Sequence, residues 1–152
     1  MTTFTEYKTY AYDRFRKAKH PNELLQDKQF IKLFKSWYSK VFAVLPEIRS
    51  CGVCLYEKFR EMADLQQKTI DERLNLHTVI KPGVVIWVKN TPFSRKSPHL
   101  TVELMAEIAE KHPNKVEKNP YFVAEKEIKE EKPKKTRRPR TKKVENGNND
   151  KG

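Results

Sequence analysis

Cys51-Gly52-Val53-Cys54 is the segment of this chain whose residue types and spacing permit covalent or metal chemistry. Two thiols three positions apart can close a disulfide, give thiolates to a soft metal, or pack side by side on one helix face. A helix is expected to start after Ser50, so the first thiol would face free backbone amides and the positive end of the helix dipole. Both favour the thiolate. A thioredoxin-like site, however, needs a buried strand feeding the turn, and here a long helical pattern and LPEIRS precede it. Zinc needs four ligands, and a closed site usually draws its second pair from another closely spaced couple. The four histidines, His20, His77, His99 and His112, are scattered, so a site at Cys51 and Cys54 would need distant help, with His77 the candidate third ligand. The third reading is packing: Cys51 and Cys54 would extend an apolar helical face through Leu55, Phe59, Met62 and Leu65.

Other reactive constellations are missing from the sequence. The four glycines form no phosphate-cradling loop. Asp71-Glu72, Glu130-Glu131 and the series Glu103, Glu107, Glu110 read as solvated charge, the last three at helical spacing beside Lys111. No histidine has an evident serine or cysteine partner. A non-enzymatic protein without a cofactor is expected, with zinc the alternative.

Basic residues point to a partner class instead. Lys132 to Lys143, KPKKTRRPRTKK, holds eight of the net twelve positive charges and no acid, in Lys132, Lys134, Lys135, Arg137, Arg138, Arg140, Lys142 and Lys143. Its prolines favour an extended backbone on which such side chains follow phosphates along a groove. Arg137-Arg138-Pro139-Arg140 resembles the core of minor-groove hooks but lacks their glycine, so sequence-specific reading is not expected. DNA or another polyanion is the expected partner; a merely solubilising tail, an acidic protein or an anionic membrane surface are the alternatives. Arg95 and Lys96, in the cluster from Phe93 to His99, are additional candidates for a phosphate grip.

The elements that must carry these residues are mainly helical. Thr3-x-x-Glu6 has the form of a capping box and predicts a helix over about 4–19. Phe30, Ile31, Phe34, Trp37, Tyr38, Val41, Phe42 and Leu45 keep three-and-four spacing, which predicts a central helix over 28–45, and Pro46 stops it. A third helix is expected from Ser50 to about Leu65. Beyond Leu74, Leu76–Ile80 and Val84–Val88 are rich in β-branched residues, and Lys81-Pro82-Gly83 between them reads as the turn of a hairpin. Thr101 then caps a short helix that His112-Pro113 ends. The expected fold is mainly α (α+β): a helical domain of about three helices over 1–75, a hairpin-and-helix module over 76–125 packed on it, and a disordered basic tail over 126–152. The longest apolar run, Val84 to Val88, is far short of the ~20 residues that span a bilayer, and no secretory signal opens the chain, so a soluble protein in a reducing compartment is expected.

The CGVC helix, the KPGVVIWV segment, the LTVELMAEIAEKHP helix and the Lys-rich end together give a layout that resembles small basic proteins of tailed bacteriophages and of prophages in gut bacteria. The resemblance implies a virion-associated or assembly role in the cytoplasm of a bacterial host or in the virion. It transfers no site residues. It leaves room for a purely structural virion subunit that meets no nucleic acid, and for docking of the helical domain on another protein or on its own copies.

Overall fold

The computed structural model describes residues 3–48 and 50–122. The tail from Lys132 to Lys143, and its expected disorder, lie outside the described residues. The fold is mainly α with a small β component. Six α-helices are described: α1 Phe4–Lys17, α2 Glu23–Gln26, α3 Lys28–Phe42, α4 Gly52–Ala63, α5 Gln67–Leu74 and α6 Val102–Lys111. Four three-residue strands accompany them: β1 Thr78–Ile80, β2 Ile86–Val88, β3 Thr91–Phe93 and β4 Val116–Lys118.

The capping signals work as chemistry. Thr3 accepts from the Glu6 N–H, and Glu6 accepts in return from the Thr3 N–H, which fixes the start of α1. Thr101 accepts from the Leu104 N–H at the start of α6. Asp27 does more, because it closes α2 and opens α3: its Oδ1 accepts from the N–H groups of Gln29 and Phe30, and Arg14 of α1 pairs with its other oxygen. The Phe30 N–H, with Arg14 adding to it against the cost of burial, holds this carboxyl below its ordinary 3.8. We expect Asp27→Ala to cost about 1–2 kcal/mol of stability at neutral pH. A carboxyl with a depressed folded-state pKa stabilises above its ordinary pKa and loses that contribution as pH falls through the lowered value. Urea unfolding should therefore show the gap between variant and parent closing in acid.

The front of the molecule packs on aromatics. Tyr7 stacks on Trp37 with ring centroids 5.8 Å apart, and Phe15 meets Phe30, Tyr56 and Phe59 at 5.4, 4.9 and 5.2 Å. Phe30, Phe34, Val41 and Phe59 are fully buried among them. A second cluster, built from Leu76, Val79, Ile80, Ile86, Leu100, Met105 and Ile108, lies under the strands and α6.

The strand pairing departs from the expected hairpin. The Lys81-Pro82-Gly83-Val84 turn exists, with the Val84 N–H donating to Lys81 O at 3.2 Å and Gly83 at φ 74°. Proline second and a positive-φ glycine third make a type II geometry, whose twist splays flanking strands, whereas tight hairpins use the mirror-image turns. The chain therefore leaves β1 for a different sheet. β1 pairs antiparallel with β4, and β2 pairs with β3 across a two-residue turn in which Lys89 and Asn90 have φ of 47° and 63°. Asn119, just after β4, ties the chain back: its N–H donates to His77 O and its Nδ2 to Leu76 O, both at 2.8 Å.

Candidate functional site

The cysteine pair sits where α4 begins, and its two members have different roles. Cys51 is the N-cap, with extended backbone, and its sulfur accepts from the Cys54 N–H at 3.2 Å. The two sulfurs are paired as a disulfide across 5.3 Å between Cα atoms. The packing expectation holds only downstream, since Leu55, Phe59 and Met62 are buried in the aromatic core while Cys51 lies before the helix rather than on its face. Cys51 is half-buried, and so is Cys54.

Gly52 fixes where this start of α4 rests. Its N–H donates to Asn22 Oδ1 at 2.7 Å, and a Cβ built on it would lie 2.3 Å from the Pro21 carbonyl carbon. Pro21 in turn lines a groove of about 690 Å³ together with Tyr12, Phe15 and Tyr56, with Asp13 and Arg16 also in its wall. Lys17 and Arg16 pair with Asp13, and Lys17 chiefly holds that carboxyl below its usual range. The chemistry available here is thiol–disulfide exchange beside an aromatic-walled groove.

The structure does not bring His77 to the cysteines as a metal site. His77 stands just before β1, its ring 3.8 Å from that of Phe122, and its carbonyl holds Asn119. Among the described residues no group of three His, Cys, Asp or Glu side chains is gathered closely enough to hold a metal ion.

The Arg95 expectation needs correction. Arg95 is only 7% exposed, so it does not offer its guanidinium to an external phosphate. Its Nε donates to Ala43 O at 2.5 Å, and its Nη1 pairs with Glu117 on β4. Lys96, half-exposed, pairs with Glu61 at 3.2 Å and lies 5.5 Å over the rings of both Tyr38 and Phe42. Burial works against the charge on Lys96, yet Tyr38 and Glu61 together hold it above the usual lysine range. The Tyr38 hydroxyl donates to Glu61 at 2.9 Å, and burial is the chief reason its own pKa is raised. Both basic residues of this loop thus act inward.

Arg73 is the functional group of the fold that the sequence concealed. It is 1% exposed and donates to three carbonyls, Val41 O at 2.6 Å, Ser97 O at 2.8 Å and Arg95 O at 2.9 Å. Desolvation first, and the neighbouring Arg95 charge second, lower its pKa to about 10. In Asp71-Glu72-Arg73 it looks like one more solvated charge, and no local pattern marks it otherwise. The carbonyl end of α3 makes this burial tolerable, because Val41 and Ala43 are where the negative end of the helix dipole lies.

No protein-family model, curated protein or solved structure matches this chain.

Proposed function

We propose that this chain is a non-enzymatic, polyanion-binding protein of the phage structural or assembly type, in which Lys132–Lys143 contacts nucleic acid and the helical part docks on protein. The observation that carries this reading is charge segregation. Eight of the net twelve positive charges occupy those twelve residues, leaving +4 (12 − 8) for everything else. Arg95 is turned inward and Lys96 is paired to Glu61, so this reading takes its phosphate contacts from Lys132–Lys143 rather than from that loop.

A chain ending at Glu131 tests it. Eight phosphate contacts would give the full chain a slope of about −7 in log affinity against log salt on duplex DNA. The shortened chain should lose most of that slope and most of its low-salt affinity in an anisotropy titration. Retention of full, salt-sensitive binding without the tail would refute the proposal.

A second reading, a thiol module, is favoured by one observation, the pairing of Cys51 with Cys54 at the start of α4. Thiol titration before and after reduction, together with metal analysis, separates it from a zinc module. Two thiols appearing on mild reduction without metal supports exchange chemistry, whereas one zinc per chain lost on Cys54→Ser supports the metal alternative.

A further inference from the structure

The two tryptophans of this chain live in opposite environments. Trp37 is 8% exposed within the aromatic core, while Trp87 on β2 is 67% exposed. A tryptophan is among the costliest side chains to leave in water, and a contiguous apolar surface of this kind usually marks a contact. Trp87 is not isolated. Burial alternates along the strand, so Val85 and Trp87 face outward while Ile86 enters the core. The register sets Trp87 opposite Pro92 of β3, which is also exposed. The ring thus stands on a short, turn-locked hairpin.

Charge around the ring distinguishes between partners. A cleft of about 180 Å³ beside Trp87 is walled by Lys89, Ile108, Lys111 and His112, with Glu107 as its one carboxylate. Glu107 is engaged by Lys111 at 2.6 Å, so the cleft holds two ammonium groups against one acid. Lys89 sits in the turn itself, at the end of the strand that carries the indole. A second copy of a chain with net charge +12 would meet like charge here, whereas a polyanion meets opposite charge.

We infer that the Trp87 face of the β2–β3 hairpin is a binding site for single-stranded nucleic acid, in which one unpaired base stacks on the indole and the adjoining phosphate meets Lys89. Lys111 adds a second phosphate contact by exchanging its partner Glu107. The inference rests on the nucleic-acid reading above and gives it a preference that the tail cannot supply. Lysines on an extended chain attract any phosphate backbone, but an aromatic face needs a base whose own face is free. Duplex interiors hide their bases in the stack.

The test uses the full chain and a 20-residue oligo-deoxythymidine, with a 20-base-pair duplex as comparator, at moderate salt. Binding of the single strand should quench the Trp87 emission, leaving buried Trp37 as the constant background. Trp87→Ala should weaken single-strand binding roughly tenfold or more while leaving duplex affinity and the salt slope unchanged, and Trp87→Phe should retain part of the preference. The side chain is exposed, so an unchanged thermal melt shows that the variant still folds. Equal single-strand affinity in Trp87→Ala and parent, with binding lost only on truncation at Glu131, overturns this site and spares the tail. Absence of binding to either nucleic acid at low salt overturns both. A Trp87→Ala variant that changes the sedimentation of the free protein but not its oligonucleotide affinity makes the face a contact between copies and overturns the site.

Discussion

Replacing Arg73 with methionine is expected to remove about 3–5 kcal/mol of stability, a large share of what a domain of this size has. Methionine roughly fills the space but donates nothing, so Val41 O, Ser97 O and Arg95 O each lose a hydrogen bond in a place that water does not freely reach. An unsatisfied buried acceptor costs about 1–3 kcal/mol; Ser97 O keeps the Leu100 N–H at 3.4 Å, so the larger costs fall on Val41 O and Arg95 O, and the losses are not fully additive. Removing a buried charge recovers part of this, since desolvating Arg73 beside Arg95 is itself unfavourable. The carbonyl losses outweigh that gain. Arg73→Lys should fall between parent and methionine variant, because an ammonium restores the charge but not the planar fork that reaches three separate acceptors. Urea unfolding of the three proteins gives the order directly. A methionine variant as stable as the parent would show that the carbonyls find other donors.

Gly52→Ala is expected to destabilise by about 2–4 kcal/mol, in contrast to the usual gain from alanine inside a helix. The new methyl would lie 2.3 Å from Pro21 C, 2.4 Å from Asn22 N and 2.6 Å from Pro21 O, all backbone atoms that no rotamer change can move aside. Relief requires α4 to withdraw from the 20–22 segment, which also breaks the bond from the Gly52 N–H to Asn22 Oδ1. Val53→Ala is the control. Val53 is 54% exposed, and its truncation should stay within about 0.5 kcal/mol. Thermal unfolding of both variants measures the difference. The rate at which a small thiol reduces the cysteine pair should rise only in the glycine variant, because only there does the start of α4 loosen.

Local signals in the sequence were those with local causes. Thr3, Glu6 and Thr101 bond within three residues of themselves, and the stripe from Phe30 to Phe42 needs only helical periodicity to declare itself. Legibility failed where the deciding partner is far along the chain. β1 is paired by Val116–Lys118, a segment too short and too polar to read as a strand, so from sequence Lys81-Pro82-Gly83 reads as a hairpin turn. The Lys89-Asn90 turn that does make a hairpin lacks the glycine that usually announces one. Two short helices, α2 and α5, escaped because neither carries more than a turn or two of periodicity. At the candidate site, the thiol spacing and the helix start were legible, whereas the seat of Gly52 on Pro21 was not. Arg73 and Arg95 resemble every other surface cation until the carbonyls of α3 and the 94–97 loop are seen around them.

Asn119 anchors the last described segment to Leu76 and His77, and this has a polymer-physics consequence for anything the basic segment holds. Lys132 follows Asn119 by thirteen residues (132 − 119), so it lies within a contour of about 45 Å of that anchor whatever path the chain takes. A nucleic acid captured at Lys132–Lys143 is then tethered to the folded surface, and a weak second contact there becomes an intramolecular event at an effective concentration on the order of millimolar. Lengthening the spacer should dilute that second contact while leaving the charge untouched, because the point at which Asn119 ties the chain down fixes the reach of whatever the segment captures.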